Sequence, residues 1–151
     1  MNIKLAFYDF DGVMTDNTVF INDKGEEFVK VNRSDGLAVR LISDMGIKQF
    51  ILSTEKNKVV SKRASKLEIE CFQALDDKLV KAKEIANEYN VSLDETCFIG
   101  NDINDLEVMK EVGYSICPAD ASKEVREIAT TLLTTPGGFG VIREFFELIS
   151  N

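Results

Sequence analysis

Asp9 and Asp11 are two carboxylates one residue apart, placed directly after the apolar run Leu5 to Tyr8 and directly before Gly12. Acids at that spacing can divide labour, one serving as nucleophile or metal ligand and the other as general acid/base. Other polar groups follow later apolar runs: Ser53-Thr54 after Ile47 to Leu52, Lys78 after the short run Glu70 to Gln73, and Gly100-Asn101-Asp102-Ile103-Asn104-Asp105 after Thr96 to Ile99. Carboxylates and other oxygen donors suit Mg²⁺, while a serine hydroxyl and a lysine ammonium suit phosphate oxygens. Asp-Phe-Asp-Gly by itself is equally an ordinary strand-ending turn, since Asp and Gly favour turns. The coincidence of several clusters is the stronger signal.

The 151 residues include no histidine. Ser-His-Asp and Cys-His nucleophiles and His-ligated zinc are thereby excluded, leaving carboxylates, lysine and an oxygen-bound cation. Cys71, Cys97 and Cys117 are odd in number, widely spaced and beside apolar residues, which reads as buried thiols rather than a disulfide or metal cage. A formal net charge of -8 argues against a nucleic-acid partner, which requires a basic face. It does not exclude an anionic small molecule held by a cation and a few placed side chains. No apolar run approaches the roughly twenty residues of a membrane span, and the first residues lack a signal pattern, so a cytoplasmic protein without a membrane partner is expected.

The elements that must carry these groups alternate. Buried-type strands at 5–8, 47–52, 70–73, 96–99, 114–116 and 131–133 are separated by helical patterns at 35–45, 58–67, 78–89, 106–112, 122–129 and 141–149. Such alternation predicts one α/β domain over 1–151, a parallel sheet with helices on both faces and the polar groups at the strands' carboxyl ends along one edge. Ser34 or Asp35 is a candidate cap for the first helix, and Gly46 its stop. Residues 17–32 break the pattern. Thr18 to Ile21 and Phe28 to Val31 flank Asn22-Asp23-Lys24-Gly25, which predicts a projecting β-hairpin. Two strands alone are marginally stable, so the hairpin is expected to pack on the body or on another subunit.

Asp9-x-Asp11-Gly12-Val13, the strand ending in Ser53, Lys78 and Gly100-Asn-Asp-x-x-Asp105 together resemble, in order and over nearly the whole chain, the haloacid dehalogenase superfamily of aspartate phosphatases. The resemblance implies a Rossmann-like fold in which Asp9 attacks phosphorus and Asp11 serves the leaving group and the incoming water. It implies phosphoryl oxygens held by Ser53 and Lys78, and Mg²⁺ held by Asp9, Asp11 and the Asn101, Asp102 and Asp105 loop. Asn101 departs from the pattern, which usually has an aspartate there.

With a hairpin in place of a cap domain, the chain is similar to the subgroup that dephosphorylates 3-deoxy-octulosonate 8-phosphate and nonulosonate 9-phosphates, of the KDN and sialic acid kind. Asn32-x-Ser34-Asp35-Gly36 with Arg40 resembles that subgroup's substrate loop, and Gly137-Gly138-x-Gly140 with Arg143-Glu144 its C-terminal motif. The resemblance implies a homotetramer with packed hairpins. Thr54-Glu55 stands where the octulosonate enzymes usually carry Gly-Arg, and a carboxylate there would repel the carboxylate of a sugar acid. The expected substrate is therefore a nonulosonate 9-phosphate, with Arg63 and Lys66 reaching its far end. The alternatives are an octulosonate 8-phosphate phosphatase and a non-catalytic tetramerisation module like the domain attached to some sialic acid cytidylyltransferases. A phosphorylatable receiver domain fails on order, because its acceptor aspartate would follow a middle strand, and here that strand ends in Ala74-Leu75.

Overall fold

The computed structural model describes residues 1–150; Asn151, the end of the expected domain, lies outside the described residues. The apolar run Leu5–Tyr8 forms β1, with all four residues buried. β1 pairs in parallel with β4 (Lys48–Leu52) on one side and β6 (Thr96–Ile99) on the other, Tyr8 lying opposite both Ile51 and Ile99. That register brings the residues just beyond each strand to one edge, as the alternation predicts. β5 (Glu70–Phe72), β7 (Tyr114–Cys117) and β8 (Thr131–Leu132) complete a six-stranded sheet in the order β5-β4-β1-β6-β7-β8.

Side chains alternate across the strands. Ala6, Tyr8, Ile51, Cys97 and Ile99 face one core, shared with α1 (Arg33–Asp44), α2 (Val59–Leu67) and α6 (Val141–Ile149). Leu5, Phe7, Phe50, Leu52 and Phe98 face the other, shared with α3 (Lys78–Glu88), α4 (Leu106–Glu111) and α5 (Lys123–Ile128). Each fully buried large apolar side chain contributes about 1.5–3 kcal/mol, so a central strand covered on both sides is a stiff mount for whatever follows it. Cys97 and Cys117 are buried, Cys71 is half-buried, and all three are free thiols.

The hairpin is shorter than its two apolar runs suggest. β2 (Phe20–Ile21) pairs antiparallel with β3 (Glu27–Phe28). The Asn22 side chain accepts from the Lys24 and Glu26 amides and so tightens the turn, while Val31 leaves the hairpin to bridge Thr15. Phe20, Ile21 and Phe28 are 73%, 66% and 60% exposed at the paired tip, while Val29 and Val31 at the hairpin's base pack against the core of the body.

The cap of α1 also differs from expectation. Asn32 fills it, accepting from the Ser34 amide at 2.9 Å and the Ser34 hydroxyl at 2.7 Å. Asp35 is freed to cross to the amino end of α6, where its Oδ1 accepts from the amides of Ile142 at 3.1 Å and Arg143 at 3.2 Å. The chain entering α6 lies against the turn after Asp11: a Cβ on Gly137 would stand 2.2 Å from the Gly12 carbonyl oxygen, and one on Gly138 2.4 Å from the Asp16 nitrogen. Only glycine permits so close a backbone approach.

Burial raises the Asp35 carboxyl to about 6, against the opposing pull of the Arg143 and Ile142 amides and of Arg63. A carboxyl raised above its unfolded value of about 3.9 binds its proton more readily in the folded state. Its contribution to stability is therefore present at low pH and lost as pH rises through about 4 to 6. Asp35→Asn should flatten the stability profile across that window, the two proteins diverging by on the order of 1–3 kcal/mol when urea unfolding is compared at its two ends.

Candidate active site

Lys78 opens α3, whose cap Asp77 accepts from the Val80 amide. Its Nζ lies 2.8 Å from Asp9 Oδ1 and 2.6 Å from Asp105 Oδ1, with all three side chains buried. The other oxygen of Asp105 accepts from the amides of Asn101 at 2.9 Å and Asp102 at 3.3 Å, so the acidic loop is wound around that carboxylate. A Cβ on Gly100 would come within 2.7 Å of it. Both oxygens of Asp105 are thus engaged. Asp105, expected as a cation ligand, here anchors Lys78 and the loop.

Burial pushes the Asp9 carboxyl upward, the Asp105 carboxylate adds to the shift, and Lys78 opposes both. Lys78 is itself driven down by desolvation but more strongly up by the two carboxylates, so it remains charged. Asp11 is raised chiefly by burial and next by the Glu55 carboxylate. A carboxyl held above its ordinary range is suited to holding and returning a proton. Ser53 is buried at the end of β4, its backbone fixed by Phe72 and Leu75 and its Oγ accepting from the Glu55 amide at 3.1 Å.

Asp9, Asp11, Ser53, Thr54, Asn101 and Asp102 line one crevice at the sheet edge. Asn17 and Asn104 line it too, and neither is singled out by the sequence reading. The signal for Asn17 is its place after Thr15-Asp16: it takes a left-handed conformation at φ 64°, which Asn tolerates. Its amide and that of Gly12 both donate to the buried Thr15 hydroxyl.

The tip of the Asn101 carboxamide stands 2.9 Å from the Asp11 carbonyl oxygen and 3.1 Å from Asp9 Oδ2. Oxygens at adjacent corners of an octahedron around Mg²⁺, each about 2.1 Å from the ion, are about 3 Å apart. This donor set therefore fits Mg²⁺. Asp102 stands at the rim with its Oδ1 accepting from the Ile103 amide.

The expected substrate-binding residues divide. Gly36, Arg40, Arg63 and Lys66 line a separate groove between α1 and α2 rather than the crevice. Asn32 and Ser34 are bonded to each other in the cap of α1, and Asp35 is 1% exposed and turned to α6. In these three, expected to contact substrate, Asn32 Oδ1, the Ser34 hydroxyl and Asp35 Oδ1 are engaged within the fold, while the buried Asp35 Oδ2 has no partner. Arg63 donates to the Asn32 carbonyl at 2.9 Å. Glu55 is exposed, with Oε1 accepting from the Lys56 and Asn57 amides.

Residues 3–144 match the family model for haloacid dehalogenase-like hydrolases. The 3-deoxy-D-manno-octulosonate 8-phosphate phosphatase of Yersinia pestis is 33% identical over 149 residues, covering 98% of this chain and 80% of that protein. Among solved structures, a HAD family hydrolase from Streptomyces avermitilis superposes with a TM-score of 0.93 at 40% identity, over 95% of this chain and 82% of its own. The 3-deoxy-D-manno-octulosonate 8-phosphate phosphatase of Moraxella catarrhalis, in complex with a magnesium ion, a phosphate ion and KDO, does so with 0.94 at 30% identity, over 98% and 86%.

Removing the cation from a buried charge cluster strands the carboxylates it neutralises. Lys78→Met is expected to cost about 3–5 kcal/mol in denaturant unfolding. Adding Asp105→Asn should recover part of that loss, since the two residues are in contact and their effects are not additive.

Proposed function

The chain belongs to the haloacid dehalogenase-like hydrolases and is a Mg²⁺-dependent sugar-phosphate phosphatase of that family, and on that premise we propose that its substrate is a 3-deoxy-2-ulosonic acid with a terminal phosphate, 3-deoxy-octulosonate 8-phosphate first. What supports this most is the arrangement at the sheet edge: the buried Lys78 ammonium set against Asp9, with Asp11, Ser53 and the Asn101 loop around one crevice. The octulosonate assignment draws on relatives that cover nearly the whole chain.

In the proposed mechanism a carboxylate oxygen of Asp9 forms the bond to phosphorus as the phosphorus–alkoxide bond breaks. Asp11, raised by burial and by Glu55, gives its proton to the departing alkoxide oxygen. Its carboxylate then takes a proton from the water that attacks the aspartyl-phosphate, releasing inorganic phosphate and restoring Asp9. Lys78 and Ser53 neutralise and orient the phosphoryl oxygens. Mg²⁺, held by Asp9, the Asp11 carbonyl and Asn101, supplies positive charge where two anions must meet. Asp105 acts through Lys78.

A second reading rests on Glu55. Its carboxylate stands beside Asp11 strongly enough to raise it, and a negative group at the mouth disfavours an eight-carbon acid whose own carboxylate lies close by. It suits a nine-carbon acid that presents hydroxyl or amide groups there. Arg40, Arg63 and Lys66 lie outside the crevice. They serve the substrate's far end where chains assemble, and the exposed Phe20, Ile21 and Phe28 fit a homotetramer formed through the hairpins.

Asp9→Asn should keep the native circular dichroism spectrum while phosphate release falls at least about 10³-fold; substantial residual turnover would rule out covalent catalysis by Asp9. Wild type should hydrolyse octulosonate 8-phosphate with the highest kcat/KM of a panel of sugar-acid phosphates. A nonulosonate 9-phosphate preference that Glu55→Arg shifts by about 10-fold toward octulosonate would decide for the second reading. No release from any panel member would leave the chain as a tetramerisation module.

A further inference from the structure

Asn101 is a neutral amide in a position that faces oxygen acceptors, and its surroundings leave its side chain little freedom. A Cβ on Gly12 would lie 1.9 Å from the carboxamide, so the amide fills the space that glycine leaves open. The Asn101 amide nitrogen is fixed by Asp105, and its carbonyl accepts from the Ser122 amide at 2.8 Å. Clamped along its backbone and against Gly12, the side chain can still exchange its two terminal atoms by a half-turn about its last torsion.

The tip directed at the Asp11 carbonyl and Asp9 Oδ2 meets two acceptors and no donor. With its amide oriented by those partners, nitrogen is at the tip and donates to both, at 2.9 Å and 3.1 Å. The same two acceptors, joined by an oxygen at the tip 2.9 Å and 3.1 Å from them, would offer a cation three oxygen ligands. An aspartate in this position has no such second state: without a cation it sets a carboxylate oxygen against two other oxygens, and like charges that close are costly.

We propose that Asn101 is a two-state ligand whose carboxamide turns over with metal occupancy, its NH₂ group bridging Asp9 and the Asp11 carbonyl when no cation is present and its oxygen replacing that bridge when Mg²⁺ enters. The inference rests on the Mg²⁺ site in the proposed function but not on the substrate. The amide stands in for the cation, so the nucleophile loop keeps its shape in the metal-free protein. The cost falls on the metal: each binding event must break two hydrogen bonds that an aspartate would not have made. Relative to Asn101→Asp, the wild type should be the more stable protein without metal and the less stabilised by it.

The test needs no substrate. In EDTA the thermal midpoint of Asn101→Asp should lie about 3–6 °C below wild type, and saturating Mg²⁺ should raise the variant by more than it raises the wild type. Equal midpoints in EDTA, or equal Mg²⁺ shifts, would overturn the proposal. Side-chain ¹⁵N–¹H spectra follow the turn itself, the Asn101 NH₂ pair being assigned by its loss in Asn101→Ala. Titration with Mg²⁺ should move that pair together with the backbone amides of Asp11 and Gly12. If those backbone amides move while the NH₂ pair does not, the metal binds and the turnover is wrong. If nothing in the loop moves, the Mg²⁺ site fails and the inference with it, whatever the substrate panel gives.

Discussion

The ammonium of Lys78, locked between Asp9 and Asp105, is the constraint on which the remainder of the site depends. Among the described residues it is the one lysine or arginine that is fully buried. A cation in that setting is tolerable only with partners at hydrogen-bonding distance. It therefore fixes three elements relative to each other: the end of β1, the start of α3 and the loop after β6. The far carboxylate does a second task, accepting from two loop amides, so that the orientation of Asn101 and the position of Lys78 follow from one side chain. The arrangement also explains how an acidic chain handles an anion. The relevant field is that of a single desolvated ammonium and a bound cation at the sheet edge, not that of the net charge.

Much of this architecture is legible in the residue order. Continuous apolar runs such as Leu5–Tyr8 and Thr96–Ile99 have the length and flanks of doubly covered strands, and parallel register then forces Asp9, Ser53 and Gly100 to one edge. What is not legible is how multivalent polar residues share out their bonds. Asp105 resembles a ligand in sequence because it is an acid in a metal loop, and only the placement of Lys78, 27 residues away, shows that it is already engaged. Asp35 resembles a helix cap and is one, but for α6, 107 residues further on, rather than for its own helix. Asn17 escapes notice because its local mark is only a residue type that tolerates a left-handed turn, whereas lining a crevice is a property of the fold.

The hairpin shows the same limit differently. Its apolar residues predict a packed element, and within one chain Val29 and Val31 pack on the core while Phe20, Ile21 and Phe28 stay exposed. The two grooves, one holding the carboxylates and the other Arg40, Arg63 and Lys66, share no lining residue.

The backbone contact between Gly137-Gly138 and the turn after Asp11 has a consequence in time. The Gly138 amide bonds to the Val13 carbonyl at 3.0 Å, joining points far apart in sequence. On the ribosome, the nucleophile loop is made well before its backing surface. Contacts of such long sequence separation are formed late, because the closure entropy of the intervening chain must be met before they add stability. A nascent chain that has already folded β1, β4 and β6 would hold every residue of the crevice and still lack the wall that shapes it. That wall is added only once Gly137 and Gly138 have left the exit tunnel.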